Sequence, residues 1–453
     1  MYYNRKMQEN DIMYKKINLI INNRIVKKIF FNSSWLFLDK VVRLIMGLIV
    51  GSWVARYLGP ENYGLLSYAN AFVAIYAAII TFGIDGLVIR DLSKEKIIEK
   101  RKEILGTAFR IRFIGGWISV FICIGTIFFI QENILISLLV TIISLGNIFQ
   151  SFDTIALHYQ AEINSKITVK VKFIAFIITT LLKIIIILFN AGVIWFAVLT
   201  MLEIALGAIG LIYIYKDNIF KYTVSVKLIK IFLKNSWPIF LSMICINIYL
   251  KLDQLILGQY MGIKLLGCYA AAIKISEICY FIPNVIISSF TPYLVNCREN
   301  DKVIYRQRIQ QVFDALTYGA YIICIIISIL SPIIINVLYG DKYENADLIL
   351  IIHIWTLIFV GIGVLFRQIL IIENKTRFLL LTTILGTIIA VILDFWLIPK
   401  YSFYGAVLSI IISQIVSNYC STIIYKETRR FFWMQTKSLL LVNLPHYIRR
   451  LIY

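Results

Sequence analysis

Three ionisable residues, Asp39, Lys40 and Arg43, interrupt an otherwise apolar stretch near the start of the chain. In a helix Lys40 and Arg43, three apart, share one face, and Asp39, four before Arg43, can neutralise only one of them. A net positive patch is left. An Arg fork beside a Lys point charge suits the oxygens of phosphate or pyrophosphate. Further along, Lys251 and Asp253 lie in one apolar run, and Lys274 and Glu277 share a face in the next. Lys183 and Glu203 fall mid-run in successive stretches, placed for an ion pair between helices. The Lys183–Glu203 and Lys274–Glu277 pairs read equally as ties that hold the fold. Arg90 and Arg367 sit near run ends, where a long basic side chain can reach a polar interface. Asp85, in TFGIDGLVIRD between Gly83 and Gly86, reads as a helix cap, a hinge or an ion-coupling group. Asp85, Arg90, Asp253 and Glu277 are the candidates for gating or coupling.

These residues need elements to carry them, and composition says which kind. The chain has 453 residues, 60% hydrophobic and 15% charged, with a mean hydropathy of +0.82. No soluble core could take in so much apolar side chain, so lipid must be part of the solvent. A membrane-spanning helix needs about 20 apolar residues, and runs of that length recur at 31–55, 66–89, 112–130, 134–157, 171–190, 193–215, 233–258, 268–293, 315–338, 347–371, 378–397 and 404–425. The formal charge of +20 would point to nucleic acid if it formed one field. Instead, with the N-terminus inside, most Lys and Arg fall in cytoplasmic segments, and the external loops hold only Arg56, Lys264, Lys342 and Lys400. That bias persists along the chain and predicts an even number of spans with both ends cytoplasmic. The lead-in carries no small-residue cleavage site and reads as a retained cytoplasmic segment. LLLVNLPH near the C-terminus is too short to cross and reads as interfacial.

The seven Cys residues form no CxxC pair and no cluster with the three His residues, so neither a disulfide framework nor a metal site is indicated. No GxxxxGK[ST] phosphate loop is present. External connections such as Gln131 to Asn133 and Asn190 to Gly192 are too short to fold alone. Whatever the chain does, it does within the bundle or at its rims.

An internal echo sets the larger arrangement. YLGPENYG at 57–64 matches YMGIKLLG at 260–267 in Tyr57, Gly59 and Gly64 against Tyr260, Gly262 and Gly267, and each follows a helix opened by a Ser-Trp pair, Ser34-Trp35 or Ser236-Trp237. A duplicated six-helix unit explains the match. The expected architecture is an all-α integral membrane protein of about twelve transmembrane helices in two six-helix lobes around a central cavity. The boundaries are a lead-in 1–30, a first lobe 31–215, a linker 216–232, a second lobe 233–425 and a tail 426–453. Pro238, Pro283 and Pro292 interrupt or bound two of the spans of the second lobe, where kinks suit alternating access.

Residues 34–92, above all VARYLGPENYGLLSYA and GIDGLVIRDL, resemble the Wzx flippases of O-antigen and capsule repeat units. These belong to the superfamily that also holds the lipid II flippase and the MATE exporters. DQLILGQYMG, NVLYGDKYENA and IIENKTR continue the likeness more loosely, and some relatives have fourteen spans against the twelve here. The resemblance implies a MATE-like bundle with a cationic cavity, lined here by Lys40, Arg43, Lys251 and Lys274. It implies transfer of an undecaprenyl-pyrophosphate-linked oligosaccharide to the outer leaflet of a bacterial inner membrane, with H+ or Na+ coupling open and no organic cofactor. Contact with a polysaccharide polymerase or chain-length regulator is a family-level expectation; nucleic acid is not expected. A MATE-like drug exporter would want carboxylates and aromatics for a cation, against the basic balance of the first span. A membrane polymerase would want a large external loop. An acyltransferase would want a His-centred motif that His158, His353 and His446 do not form.

Overall fold

A computed structural model describes residues 24–373 and 375–445. The lead-in before residue 24 and the tail beyond 445 lie outside the described residues. The elements are α1 (Arg24–Thr81), α2 (Asp85–Lys94), α3 (Ile98–Ile130), α4 (Ile134–Phe149), α5 (Asp153–Ala161), α6 (Lys166–Leu188), α7 (Val193–Tyr215), α8 (Val226–Met261), α9 (Ile263–Cys279), α10 (Phe281–Asn300), α11 (Lys302–Tyr339), α12 (Ala346–His353), α13 (Thr356–Ile372), α14 (Thr376–Ile415), α15 (Ser421–Ile424) and α16 (Arg429–Leu439). A π-helical turn, Val416–Cys420, joins α14 to α15.

Among the described residues ten helical stretches are long and apolar enough to cross a membrane. Two of them, Phe37–Lys94 and Arg377–Ile424, run to 58 and 48 residues, far beyond one crossing. Each carries a break. In α1 Gly59 takes φ 70° just before Pro60, a conformation cheap only for glycine. In α14 Ser402 takes φ 55° after Pro399. Beyond that break the chain returns along itself: Ser409 Oγ donates to the Ala390 carbonyl at 3.4 Å and Ser417 Oγ to that of Thr382 at 3.1 Å.

Short connections are secured by side-chain caps that satisfy the free N–H groups of the next helix. Asn133 accepts from the Leu135 amide at 2.9 Å, and Asp301 from Val303 and Ile304 at 2.6 and 3.1 Å. The cores are distributed unevenly. The largest apolar cluster joins both halves of the chain, with Tyr68, Phe72, Leu139 and Phe196 meeting Leu257, Tyr269, Tyr339 and Ile398. Toward the opposite helix ends the clusters divide, one built around Leu92, Phe109, Leu211 and Phe232 and another around Leu294, Phe313, Leu370 and Phe431. The halves thus share one core at one end and keep their own at the other. There, Phe37 stacks on Phe281 with ring centroids 5.6 Å apart, and Phe82 meets Phe240 at 5.2 Å.

Candidate functional site

A cavity of about 430 Å³ opens where α1 faces α8 and α9. Its wall from α1 is a helical stripe of Tyr63, Leu66, Ser67, Asn70, Ala71 and Ala74, and the facing stripe of α9 is Ala270, Ile273, Lys274 and Glu277. These positions repeat every three or four residues, so one face of each helix is presented. Ser67, Ala71 and Ala74 on α1 and Ala270 on α9 are the small side chains of this lining. Lys251 and Gln254 of α8 complete the lining.

Lys251 Nζ lies 3.1 Å from Glu277 Oε1. Glu277 is therefore held by Lys251 on the neighbouring helix, not by Lys274 on its own. Among the described residues Lys274 has no carboxylate within ion-pair distance, and it is exposed to the cavity. One cation is neutralised and the other is not.

The rim at one end of the cavity is closed by the two halves of the sequence echo. A Cβ on Gly64 would lie 2.1 Å from the Ile263 carbonyl oxygen, and one on Gly267 would lie 1.8 Å from that of Pro60. Only glycine allows the backbones so near. Gly262 takes φ 94° where its counterpart Gly59 takes φ 70°, so the matching residues repeat the same backbone device. Tyr343 donates its hydroxyl to the Ala55 carbonyl at 2.5 Å, with Tyr63 6.3 Å away edge-on.

Arg43 lines a second cleft, of about 220 Å³, with Gln150, Asp153, Lys172, Glu203, Ile204 and Gly207. Its Nε donates to Asp39 Oδ1 at 2.8 Å, its Nη1 lies 3.9 Å from Glu203 Oε1, and its guanidinium sits over Phe176. Lys183 also reaches Glu203, at 3.5 Å, which is the interhelical pair expected from the sequence. Lys40 is exposed and, among the described residues, has no carboxylate partner. It lies three residues after Phe37, near the face of α1 that Phe37 turns toward the second half.

Asp85 is the first residue of α2, where a carboxylate complements the helix dipole. It lies 3.5 Å from Arg112 Nη2. Just before it, Phe82 and Gly83 adopt φ 47° and 68°, a break that abuts Phe240 of α8. Arg90 is at the surface, bonded to Asp91 at 2.8 Å. Arg367 is half-buried, and its Nη1 donates to Asn418 Oδ1 at 3.2 Å, inside the π-helical turn.

Asp253 is turned away from the cavity and is 1% exposed. Tyr269 donates its hydroxyl to Asp253 Oδ2 at 2.5 Å, while Oδ1 finds no partner among the described residues. Asp394 of α14, also 1% exposed, is within electrostatic reach of Asp253 and Tyr269, and its Oδ2 is likewise unpartnered. Two carboxylates share one apolar interior. Asp394, Tyr269 and the buried Arg112 escaped the sequence reading; an ionisable residue within VILDFWL is the same signal that marked Asp253.

A family model described as polysaccharide biosynthesis protein matches residues 53–348. The chain belongs to that family. It is 27% identical over 169 residues to the capsular polysaccharide biosynthesis protein CapF of Staphylococcus aureus, a match over 37% of this chain that spans 42% of the relative's length. The fold of this family member is that of the lipid II flippase MurJ in an inward closed conformation, with TM-score 0.71 and 17% identity over 92% of this chain and 93% of that one. An inward-facing multidrug resistance MATE transporter of the MOP superfamily superposes with TM-score 0.67 at 15% identity, over 87% of this chain and 96% of its own. The family match includes the α1, α8 and α9 residues that line the cavity.

Proposed function

We propose that the chain is a flippase that carries the pyrophosphate-linked head of a lipid-linked oligosaccharide repeat unit from the cytoplasmic to the outer leaflet of a bacterial inner membrane. The observation that carries this reading is Lys274, a cation left without a carboxylate in a polar cavity between apolar helices. A charge in that setting is costly unless a counter-charge arrives. A diphosphate is such a counter-charge, while the isoprenoid tail stays in lipid. Lys40 and Arg43 stand lower on the path, toward the side where the cores divide, and Lys251 is held ready beside Glu277. The match to a family of polysaccharide biosynthesis proteins, and to a relative named for capsular polysaccharide, supports a glycan cargo. A drug-cation exporter is the weaker reading, because the free charge in the cavity is positive.

In this reading the breaks at Gly59 and Ser402 divide two of the ten stretches, making twelve crossings. They fall into two lobes, 31–215 and 233–425, joined by the linker 216–232, with both ends cytoplasmic. Asp253 and Asp394 are then the seat of the coupling proton or sodium ion, since one positive charge shared by two buried carboxylates leaves a single negative charge in place of two and relieves their mutual repulsion. Asp85 serves the Phe82–Gly83 hinge.

The test is leaflet exchange of a fluorescent lipid-pyrophosphate oligosaccharide in vesicles holding the purified chain. Removing one charge-assisted contact to the head with Lys274→Ala is expected to slow exchange about tenfold or more, with folding intact. Arg43→Ala is expected to slow exchange as well, and also to lower the unfolding temperature, because Asp39 and Glu203 lose their shared cation. Protein-dependent exchange unaffected by Lys274→Ala removes the cavity lysine from the path; no exchange by the folded natural chain under an imposed H+ or Na+ gradient overturns the flippase reading.

A further inference from the structure

The groove between the first turns of α11 and the C-terminal helix α16 has no part in the path above. It encloses about 470 Å³ and is lined by Tyr305, Arg306, Ile309, Arg430, Phe431 and Lys437, with Gln307, Gln310 and Met434. Three of these residues are cationic and none is anionic. Glu373 partly answers Arg430 from beside the groove, but it is shared with Lys375 at 3.5 Å. Arg306 and Lys437 are exposed and, among the described residues, unpaired.

Two donors at the groove are unused. Tyr305 is 4% exposed and its hydroxyl is buried without a partner, as is Arg430 Nε. A buried donor left unsatisfied is costly, so an acceptor brought to the groove is favoured. The floor is apolar, from Ile309, Phe431 and Met434. The rim is built for lipid: α16 buries Phe431, Gln435 and Ser438 while Trp433, Leu440 and Val442 just beyond it point outward at 61, 71 and 55% exposure. An amphipathic helix with basic residues and an outward Trp lies in the plane of a membrane interface.

We propose that this groove holds an anionic phospholipid of the cytoplasmic leaflet. Its phosphate is met by Arg306, Arg430, Lys437 and the Tyr305 hydroxyl, and its acyl chains pass over Phe431 toward Trp433. Cytoplasmic placement rests on the orientation given above; the binding itself does not. Basic pockets at that depth are natural headgroup sites, each cation contributing about 1 kcal/mol. The lipid ties α16 to α11, and so the end of the chain to the second half.

The test uses the purified full chain in neutral detergent, with apparent affinity read from the rise in unfolding temperature as phosphatidylglycerol, phosphatidylcholine or glycerol 3-phosphate is titrated in. Phosphatidylglycerol is expected to stabilise and the other two are not. The double variant Arg306→Ala/Lys437→Ala is expected to weaken phosphatidylglycerol about thirtyfold, the equivalent of about 2 kcal/mol for two cations. Tyr305→Phe keeps the ring's packing and is expected to lose part of the lipid effect without lowering the lipid-free unfolding temperature. Equal stabilisation by phosphatidylcholine, equal stabilisation by glycerol 3-phosphate, or an unchanged response in both variants overturns the proposal. No transport is measured, so a failure here leaves the flippase reading where it stands.

Discussion

At the scale of single residues, what distinguishes the charged groups of this chain is whether a partner meets them. Arg43 has Asp39 and Glu203, Lys251 has Glu277, and Asp85 has Arg112. Lys274 has none among the described residues, and Asp253 and Asp394 each keep an unpartnered oxygen. A buried carboxylate with no paired cation is costly, and a neutral amide of the same shape removes that cost. Asp394→Asn is accordingly expected to raise the unfolding temperature, with a gain in stability on the order of 1 kcal/mol, while leaflet exchange loses its response to an imposed H+ or Na+ gradient. A variant whose exchange still follows the gradient like the natural chain would remove Asp394 from coupling. The sequence carried much of this layer, because an ionisable residue in an apolar run stands out by type alone. What it could not carry was pairing across helices. Lys274 and Glu277 share a face, yet Glu277 turns to Lys251 on α8, a choice made by helix packing that spacing within one helix does not encode.

At the scale of elements, the helices and their approximate limits follow from the length of apolar runs, and the external breaks from glycine. The echo between residues 57–64 and 260–267 is legible as a repeat, but its physical purpose appears only when the two copies are seen touching. Gly64 and Gly267 bring the helix after Gly59 against the helix after Gly262 at backbone distance. An added methyl there has nowhere to go, and overpacking of this kind costs about 1–3 kcal/mol. Gly267→Ala is therefore expected to open the rim that these two copies close. Spin labels at the exposed positions Glu61 and Lys264 check it: their distance distribution should shift outward in the variant. An unchanged distribution would show that the rim does not depend on this contact. The C-terminal helix α16 is legible only in part. The apolar run LLLVNLPH drew attention to the C-terminal end, whereas the helix ends at Leu439 and begins at Arg429, within a stretch whose basic residues mask its apolar face.

At the scale of the whole molecule, one core spans both halves at the end of the short connections 131–133 and 190–192, and two cores serve the other end. The asymmetry of Lys and Arg gives that geometry its sense in the membrane. A single cysteine placed at Lys400, in a chain otherwise freed of cysteine, is expected to react with a membrane-impermeant thiol reagent in intact cells, and one at Lys437 only after the membrane is opened. The reverse pattern would invert the topology and with it the direction of transport.

The ring stack of Phe37 on Phe281 has a consequence for how cargo enters. Such a contact is worth about 0.5–1.5 kcal/mol, which is one to three times thermal energy. In the flippase reading proposed above it would act as a clasp on a side door, weak enough for thermal motion alone to undo. A molecule with a greasy tail in the bilayer could slip its head past these two rings and leave the tail outside the doorway. The costly part of the cycle would then lie at the tightly stitched outer lip, so the direction of travel would be decided there.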